Sequence, residues 1–351
     1  MSQAQNILRS REGWIPTDAD EEWDLLWAGR DWMNNCFDKH HFRPGQRVCH
    51  FRNDYELCRK DNLVRNFKRM RHLLEREGRT EEAAKLDYLP SSYVLPKDYH
   101  LFVEEFKKDK KGFTWIMKPC SGAQGRGIFL FQKLKDIKEW RKGGSSSVEN
   151  YVVQRYIHRP YLVGGKKFDI RIYVLITSFR PLTAWLHREG FARFSQAQYN
   201  SDISATYSHL TNVAIAKTSP DYDPELGLKW SMPKLKRFLI TKHGALPVSE
   251  CLEALGWVLV RSLQSVEGII IQDEHCFELL GYDILLDANL KPWLLEVNAS
   301  PSLVASNEED RQLKCRVLSH TLDIVDLEKR RSGGEEAVGG FDQFMKKGAD
   351  R

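Results

Sequence analysis

The chain has 351 residues, of which 42% are hydrophobic and 29% are charged, with a formal net charge of +5. This composition is typical of a folded globular protein, which excludes a mainly disordered chain, and the length allows two or three subdomains. No stretch approaches the roughly 18 apolar residues of a membrane span and no signal peptide is visible, so we expect a cytoplasmic protein without a membrane partner.

The N-terminal part, to about residue 110, combines aromatic clusters with a basic segment. Leu63, Phe67, Met70 and Leu74 recur at helical spacing, which predicts an amphipathic helix. Between Arg59 and Arg76 the chain carries seven Lys or Arg residues against two acidic ones. Such a run is most often a solvated helix face, and the alternative is a wall that attracts an acidic partner.

From residue 113 onward the pattern changes to short apolar runs rich in β-branched and aromatic residues, which predict strands. These runs are 114–118, 127–131, 151–156 and 168–177. A Gly/Ser-rich stretch at 141–147 predicts a mobile loop. Helical spacing returns over 248–264, and the Gly- and charge-rich end from about residue 332 predicts disorder. The predicted class is α+β, or mixed α/β.

Two further strands, 281–286 and 293–298, are joined by a turn-like connection and predict an antiparallel hairpin. Because strand side chains alternate, Glu296 and Asn298 lie on one face, with Asp283 on the neighbouring strand. Two carboxylates and an amide oxygen form a ligand set that suits magnesium bound to nucleotide phosphates. The alternative is a partly exposed sheet face with surface acids.

Lys118 ends a predicted strand and is followed by a glycine-rich loop that ends at Gly127. Backbone amides of such a loop, with Arg126, are suited to covering a polyphosphate. The pattern is not a Walker motif, because Gly-x-x-x-x-Gly-Lys-Ser/Thr is absent. A glycine loop by itself is more often a plain hairpin turn.

Charged and apolar residues alternate strictly at the start of the strand 168–177. Lys167, Asp169 and Arg171 lie on one face, and the apolar residues between them lie on the other. The charged face indicates a functional surface, and the alternative is a structural salt-bridge ladder. Arg193 and the run from His209 to Asn212 add polar groups between apolar ones, although a histidine in such a run is more often packed than catalytic.

Together these segments resemble the tubulin–tyrosine ligase-like family, most closely its short polyglutamylase branch. The matching sequence motifs occur in the same order as in the family and span nearly the whole chain. They are Arg59-Lys-Asp61, Trp115-Ile-Met-Lys118 with Gln124-Gly-Arg-Gly127, Lys167-Phe-Asp-Ile-Arg171, His209-Leu-Thr-Asn212, Gly281-Tyr-Asp283 and Leu295-Glu-Val-Asn-Ala-Ser-Pro-Ser302. The resemblance implies an ATP-grasp-like fold with the nucleotide between two β-containing subdomains and an added N-terminal domain.

The resemblance implies a domain layout and a role for each motif. The expected units are an N-terminal domain at 1–110, a central subdomain at 111–180, a C-terminal subdomain at 181–328 and a disordered tail at 329–351. The implied residues are, for catalysis, Arg171, Arg193, Lys60 and Lys167; for ATP, Lys118, Gln124, Gly125, Arg126, Gly127, Gln154, Lys167, Asp169, Thr211 and Asn212; and for Mg²⁺, Asp283, Glu296 and Asn298. At residue 126 relatives often carry lysine, and arginine keeps the charge with a different geometry.

The implied activity is ATP-driven addition of free L-glutamate to glutamate side chains in the acidic tails of tubulin, through an acyl phosphate. A location on the cytoskeleton, in cilium axonemes or basal bodies, follows by resemblance, with accessory subunits and without nucleic acid as a partner. The chain lacks the long basic extension of larger relatives, which makes autonomous microtubule binding unexpected. The alternatives are a ligase that uses glycine or tyrosine or another acceptor, including a small-molecule carboxylate, and a non-catalytic microtubule-associated protein.

Overall fold

The computed structural model describes residues 3–19, 21–108, 112–122, 125–137, 150–219 and 229–346. Helices occur at α1 (Gln3–Ser10), α2 (Arg30–Asn35), α3 (Tyr55–Cys58), α4 (Lys60–Arg76), α5 (Thr80–Ala84), α6 (Tyr99–Lys108), α7 (Thr206–His209), α8 (Val213–Ala216), α9 (Met232–His243), α10 (Ala245–Glu267) and α11 (Glu308–Val325). Strands occur at β1 (Leu25–Leu26), β2 (Arg47–Val48), β3 (Ser92–Leu95), β4 (Trp115–Pro119), β5 (Phe129–Phe131), β6 (Tyr151–Arg155), β7 (Leu162–Val163), β8 (Lys166–Phe179), β9 (Leu182–Phe194), β10 (Lys229–Ser231), β11 (Glu278–Leu286), β12 (Pro292–Asn298), β13 (Ala337–Val338) and β14 (Phe341–Lys346). The mixed α/β class is confirmed.

An eight-stranded sheet forms the centre of the molecule, in the order β12-β11-β8-β9-β14-β13, with β7 paired to β8 and β10 paired to β9. The hairpin β11–β12 is antiparallel, as predicted. On β8, Phe168, Ile170 and Ile172 lie in the apolar core, so the alternate residues from Lys167 onward face the other side.

The two faces of this sheet are covered by different helices. Helix α10, where the sequence predicts one, buries Val258, Leu259 and Leu263 in the same cluster as the apolar residues of β8. On the opposite face, α11 packs Leu313 and Val317 in a cluster with Tyr173. The charged residues of β8 therefore lie on the α11 side, beyond the end of that second cluster.

A four-stranded sheet, in the order β3-β6-β4-β5, stands apart from the large one. Its strands β4, β5 and β6 confirm the runs predicted at 114–118, 127–131 and 151–156. Phe102 of α6 is fully buried in this sheet's apolar cluster, together with Trp115 and Phe131. Between β4 and β5 lies the glycine-rich loop, which is thus carried on an edge hairpin. The stretch 141–147 lies outside the described residues.

The predicted domain boundaries do not coincide with boundaries between these cores. Residues before 110 divide between two of them, since Phe51 and Leu63 pack with the large sheet while β3 and α6 belong to the small one. The boundary predicted after residue 180 falls in the turn between β8 and β9, which pair with each other in one sheet. Local patterns predict strands but not their partners, and the proposed division into domains stays a prediction.

The predicted disorder of the C-terminal tail is wrong as far as Lys346. Strand β14 pairs antiparallel with β9, and Phe341 is fully buried against the ring of His187, with centroids 4.7 Å apart. This pairing uses an edge of β9 that is remote in sequence, so nothing near residue 341 signals it. Residues 347–351 lie outside the described residues. None of the described helices combines the length and apolarity that a membrane crossing requires.

The buried Phe341 predicts that the C-terminal strand contributes to stability. Phe341→Ala should lower the free energy of unfolding by about 3–5 kcal/mol, because the substitution leaves a cavity in the core. Asp342→Asn on the same strand is the control, since the exposed pair Arg188–Asp342 contributes at most about 1 kcal/mol. Urea denaturation of both variants checks this, and equal stabilities would contradict the docking of β14.

Candidate active site

A cleft lies between the small sheet and the charged end of the large one, and it encloses about 820 Å³ of empty space that is partly open to solvent. Many of the predicted site residues line it together: Lys60, Lys118, Gly125, Gln154, Lys167, Asp169, Thr211, Asn212, Asp283 and Glu296. The sequence motifs thus converge in one place although they lie far apart along the chain.

The glycine-rich loop forms one side of the cleft. Gly125 has φ +79°, and a Cβ there would stand 2.4 Å from Ile215 Cδ1 and 3.0 Å from Asn212 Oδ1. Both the backbone conformation and the close approach of the His209–Asn212 run therefore require glycine. Arg126 and Gly127 are exposed beside the lining, and Gln124 lies outside the described residues.

Two lysines lie buried on the floor of the cleft. Lys118 Nζ donates to Gln154 Oε1 at 2.7 Å, and Lys167 Nζ donates to the His209 carbonyl at 2.8 Å and to the Tyr156 hydroxyl at 3.1 Å. Among the described residues, no carboxylate oxygen lies within 4.0 Å of either ammonium nitrogen. Two buried cations therefore lack an ion-pair partner, an arrangement that favours an anionic ligand.

Burial weakens the charge of both lysines. It lowers the pKa of Lys118 to about 8, against the opposing attraction of Glu296. It lowers the pKa of Lys167 to about 7, and the ammonium of Lys118 adds to this, while Asp169 opposes it. Each lysine therefore loses its proton more readily than in water, and an anion beside them would reverse that effect.

The predicted metal ligands lie on the hairpin that borders the cleft. Asp283 and Glu296 are directly opposite each other on β11 and β12, and Asn298 faces Gly281. The amide of Asn298 donates to the Gly281 carbonyl at 3.2 Å and lies 3.5 Å from Asp283 Oδ2. Two carboxylates and an amide therefore lie together on the hairpin, with the amide nitrogen of Asn298 towards Asp283. Carboxylate and amide oxygens are groups that suit Mg²⁺.

Two arginines lie behind these acids in a ladder of cross-strand ion pairs. Arg171 binds both oxygens of Asp283, at 2.5 and 2.9 Å. Arg193 donates to Asp169 at 2.9 and 2.5 Å and also reaches Asp283 at 2.8 Å. The salt-bridge ladder, left open by the sequence, is thus present, and neither arginine lines the cleft.

The ion pairs in this ladder favour the ionised form of Asp283 and the protonated form of Arg193. Burial alone would raise the pKa of Asp283, but the guanidinium groups of Arg171 and Arg193 outweigh it and lower that pKa. The two aspartates in turn hold the pKa of Arg193 well above its usual value, against burial, which acts to lower it. Asp283 is therefore an ionised carboxylate in the lining of the cleft, with both of its oxygens bound by guanidinium groups in this structure.

Lys60, at the start of α4, reaches the cleft from the N-terminal part of the chain. Its Nζ lies 3.1 Å from Glu296 Oε2 and 3.1 Å from the Gly122 carbonyl. It therefore connects the basic segment, the glycine-rich loop and the metal-candidate hairpin, a location that agrees with the expectation from sequence.

Most of the other basic side chains between Arg59 and Arg76 serve the fold. Arg59 and Arg65 pair with Asp61, and Lys68 pairs with Asp98. Arg69 and Arg71 donate to main-chain carbonyls of Ser265 and Leu86. Within the described part of the chain, Arg76 has no such partner. The basic segment is thus largely a structural surface, which reduces the donors available to an acidic partner.

Sequence reasoning missed Tyr156, which contacts both Lys167 and His209. Its hydroxyl lies 2.9 Å from His209 Nδ1. The available signal was period-two alternation, because Tyr156 follows Gln154 by two residues. A second group of possible metal ligands, His50, Asp54 and Glu278, lies away from the cleft. There His50 Nδ1 and Glu278 Oε1 lie 2.7 Å apart, and this contact ties the N-terminal part to β11.

Comparison with known proteins agrees with this geometry. Residues 38–332 match the model of the tubulin-tyrosine ligase family. The chain is 58% identical over 344 residues to a Caenorhabditis elegans protein named probable tubulin polyglutamylase ttll-9, covering 97% of this chain and 82% of the relative. It is 47% identical to probable tubulin polyglutamylase TTLL9 of Rattus norvegicus, covering 99% of this chain and 83% of the relative. It is 43% identical to probable alpha-tubulin polyglutamylase Ttll1 of Tetrahymena thermophila, covering 87% of this chain and 79% of the relative. The chain therefore belongs to the tubulin-tyrosine ligase family.

Proposed function

We propose that this protein is an ATP-dependent ligase that adds L-glutamate to glutamate side-chain carboxylates in the tails of tubulin. The observation that carries the proposal is a pair of buried lysines, without a carboxylate partner among the described residues, in one cleft with the acidic hairpin β11–β12. Such a cleft is complementary to a polyphosphate with its metal ion. The names of the relatives supply the acceptor and the amino acid.

The chemistry requires activation, because a carboxylate is a poor acyl donor. Transfer of the γ-phosphoryl group to the acceptor carboxylate gives an acyl phosphate; the amine of the incoming amino acid then attacks the acyl carbon and phosphate leaves. Both steps concentrate negative charge where the structure holds cations. Lys118 and Lys167 are placed to bind the phosphates and to stabilise that charge.

The nucleotide contacts follow from the lining of the cleft and from the family resemblance. Gln154 lies on β6, and its side chain is hydrogen-bonded to Lys118 and Ser92. By resemblance to the family, Gln154 is the residue proposed to contact the adenine. The remaining proposed contacts are those of the glycine-rich loop and the two neighbouring motifs: Gln124, Gly125, Arg126, Gly127, Asp169, Thr211 and Asn212. In this arrangement the nucleotide lies between the small and the large sheet, as in an ATP-grasp fold.

Asp283, Glu296 and Asn298 are the residues that would hold Mg²⁺. A bound divalent ion neutralises phosphate charge as the phosphoryl group moves. The chain's own contribution is to keep Asp283 ionised by means of two arginines and to fix Asn298 against the Gly281 carbonyl.

Arg171, Arg193 and Lys60 are proposed to act on the carboxylates of the amino acid and the acceptor. A guanidinium group binds a carboxylate with two parallel hydrogen bonds. In this structure Asp283 and Asp169 accept some of the hydrogen bonds that Arg171 and Arg193 can donate. These contacts fix the orientation of the two guanidinium groups before a substrate binds. Lys60 contributes a cation from the opposite side of the cleft.

The proposed partners are tubulin or microtubules and accessory subunits, on the cytoskeleton and in cilia. Because most donors of the basic segment serve the fold, charge alone would hold an acidic tail weakly at physiological salt, where the Debye length is about 8 Å. A related ligase that uses glycine or tyrosine, or a non-tubulin acceptor, is the alternative to be tested.

The direct test is mass spectrometry of microtubules after incubation with the purified protein, ATP and Mg²⁺, with glutamate, glycine and tyrosine supplied separately. A set of accessory subunits, or a cell extract depleted of the endogenous protein, is included in a parallel reaction. The proposal predicts peptide masses increased by glutamyl units on the tubulin tails. Addition of glycine or tyrosine instead would replace the proposed donor, and no addition in either reaction would refute the ligase.

Replacing one proposed metal ligand should remove activity without unfolding the protein. Glu296→Gln is expected to lower kcat/KM by at least about 100-fold, since a lost metal ligand removes several kcal/mol of transition-state stabilisation. The matched control is Glu253→Gln, an exposed carboxylate on α10. Turnover and the Mg²⁺ concentration for half-maximal rate are measured, and a variant with normal values of both would contradict the metal assignment.

A further inference from the structure

A buried cluster of charged side chains lies outside the lining of the cleft, at the N-terminal end of α11. One oxygen of Asp310, Oδ2, accepts hydrogen bonds from Lys229 Nζ at 2.8 Å, Lys314 Nζ at 3.0 Å and the backbone N–H of Ser306 at 2.8 Å. Asp310 is 6% exposed and Lys314 is 4% exposed. A carboxylate buried with two lysines is a strong, directional contact among three separate segments of chain.

The cluster fixes the segment 299–306, which connects β12 to α11 without regular structure. At one end of the segment, Pro301 packs on Gly281 so closely that a Cβ there would stand 2.9 Å from Pro301 Cβ. At the other end, Lys314 Nζ donates to the Val304 carbonyl at 2.5 Å. The segment following the metal-candidate Asn298 is therefore held down at both ends.

The same cluster reaches the arginine ladder through Lys229. Strand β10 pairs with β9 so that Lys229 is directly opposite Arg193. Its ammonium lies over the ring of Phe191, 4.7 Å from the centroid. Lys229 therefore lies beside Arg193, on the side of β9 away from Asp169, which is the partner of Arg193 on β8.

The cluster has no direct polar contact with the buried lysine pair of the nucleotide side. Among the described residues, no hydrogen bond or ion pair joins Asp310, Lys229 or Lys314 to Lys118 or Lys167. The nearest connection runs through Arg193, which is directly opposite both Lys229 and Asp169. A disturbance at Asp310 should thus affect the arginines before it affects the phosphate-binding lysines.

We propose that Asp310 is a positioning residue for the amino-acid end of the active site. By holding Lys229 beside Arg193 and closing the segment 299–306 over β11, it keeps the arginine pair aligned for a substrate carboxylate. The inference rests on the proposed function, and it adds Asp310, Lys229 and Lys314 to the residues that determine affinity for the amino acid.

The test compares Asp310→Asn with Glu308→Gln, an exposed carboxylate in the first turn of the same helix. Asp310→Asn should raise KM for glutamate about tenfold, as expected for the loss of a charge-assisted hydrogen bond. Its Kd for ATP, measured by nucleotide displacement without amino acid, should change by less than about twofold. Glu308→Gln should match the wild type in both quantities.

Two variants of Lys229 keep the test decisive if Asp310→Asn fails to fold, because β10 has only three residues and pairs among the described strands with β9 alone. Lys229→Met should reproduce the rise in KM for glutamate, and Lys229→Arg should restore most of the wild-type value. An unchanged KM for glutamate in Lys229→Met would overturn the inference, as would equal rises in the KM for glutamate and the Kd for ATP. If the wild type itself incorporates no glutamate, the proposed function fails instead.

Discussion

The charge balance on one face of β8 is the constraint on which the site depends. Asp169 and Asp283 are each paired with an arginine, so the two acids and two guanidinium groups neutralise one another inside the sheet. Lys118 and Lys167, by contrast, are buried, and their hydrogen-bond partners among the described residues are neutral. A buried cation without a counter-ion is unfavourable unless a ligand supplies one. Two lysines whose charged form lacks a close counter-ion therefore lie where the polyphosphate is proposed to bind, and ion-paired arginines lie where the carboxylate substrates are proposed to bind.

The charged face of β8 borders a cleft between the large sheet and the small sheet. Period-two alternation on β8 separates an apolar side, covered by α10, from a charged side that ends under α11. The hairpin β11–β12 extends the same face with Asp283 and Glu296. The small sheet then closes the cleft with Lys118, Gln154 and the glycine-rich loop. The segment after Asn298 and the cluster at Asp310 complete the end of the face where the carboxylate substrates are proposed to bind.

Local pattern was enough to predict much of this arrangement from sequence. Alternation on β8, the helical spacing of α4 and α10, and the hairpin that carries Asp283 and Glu296 are all properties of neighbouring residues. The strand pairing of β14 with β9 is not, because β9 gives no local sign of which distant segment will pair with its edge. The placement of Arg171 and Arg193 behind the acids, and the three-segment cluster at Asp310, also depend on contacts between residues far apart in the chain. Sequence alone therefore predicted many of the residues that line the cleft and left open which of them face a ligand.

The proposal that Lys118 and Lys167 bind the phosphates of ATP is tested most directly by calorimetry. ATP binding is measured in buffers of different ionisation enthalpy, which gives the number of protons taken up. In the free protein the lowered pKa values of Lys167, about 7, and Lys118, about 8, leave both mostly deprotonated near pH 8.5. Phosphate groups, whose last pKa is about 6, are fully ionised there, so any protons taken up come to the protein. Bound phosphates favour the charged lysines, and the account predicts uptake of about one to two protons per ATP and an affinity that falls as pH rises above 8. Tight binding with no proton uptake and no pH dependence in this range would contradict it.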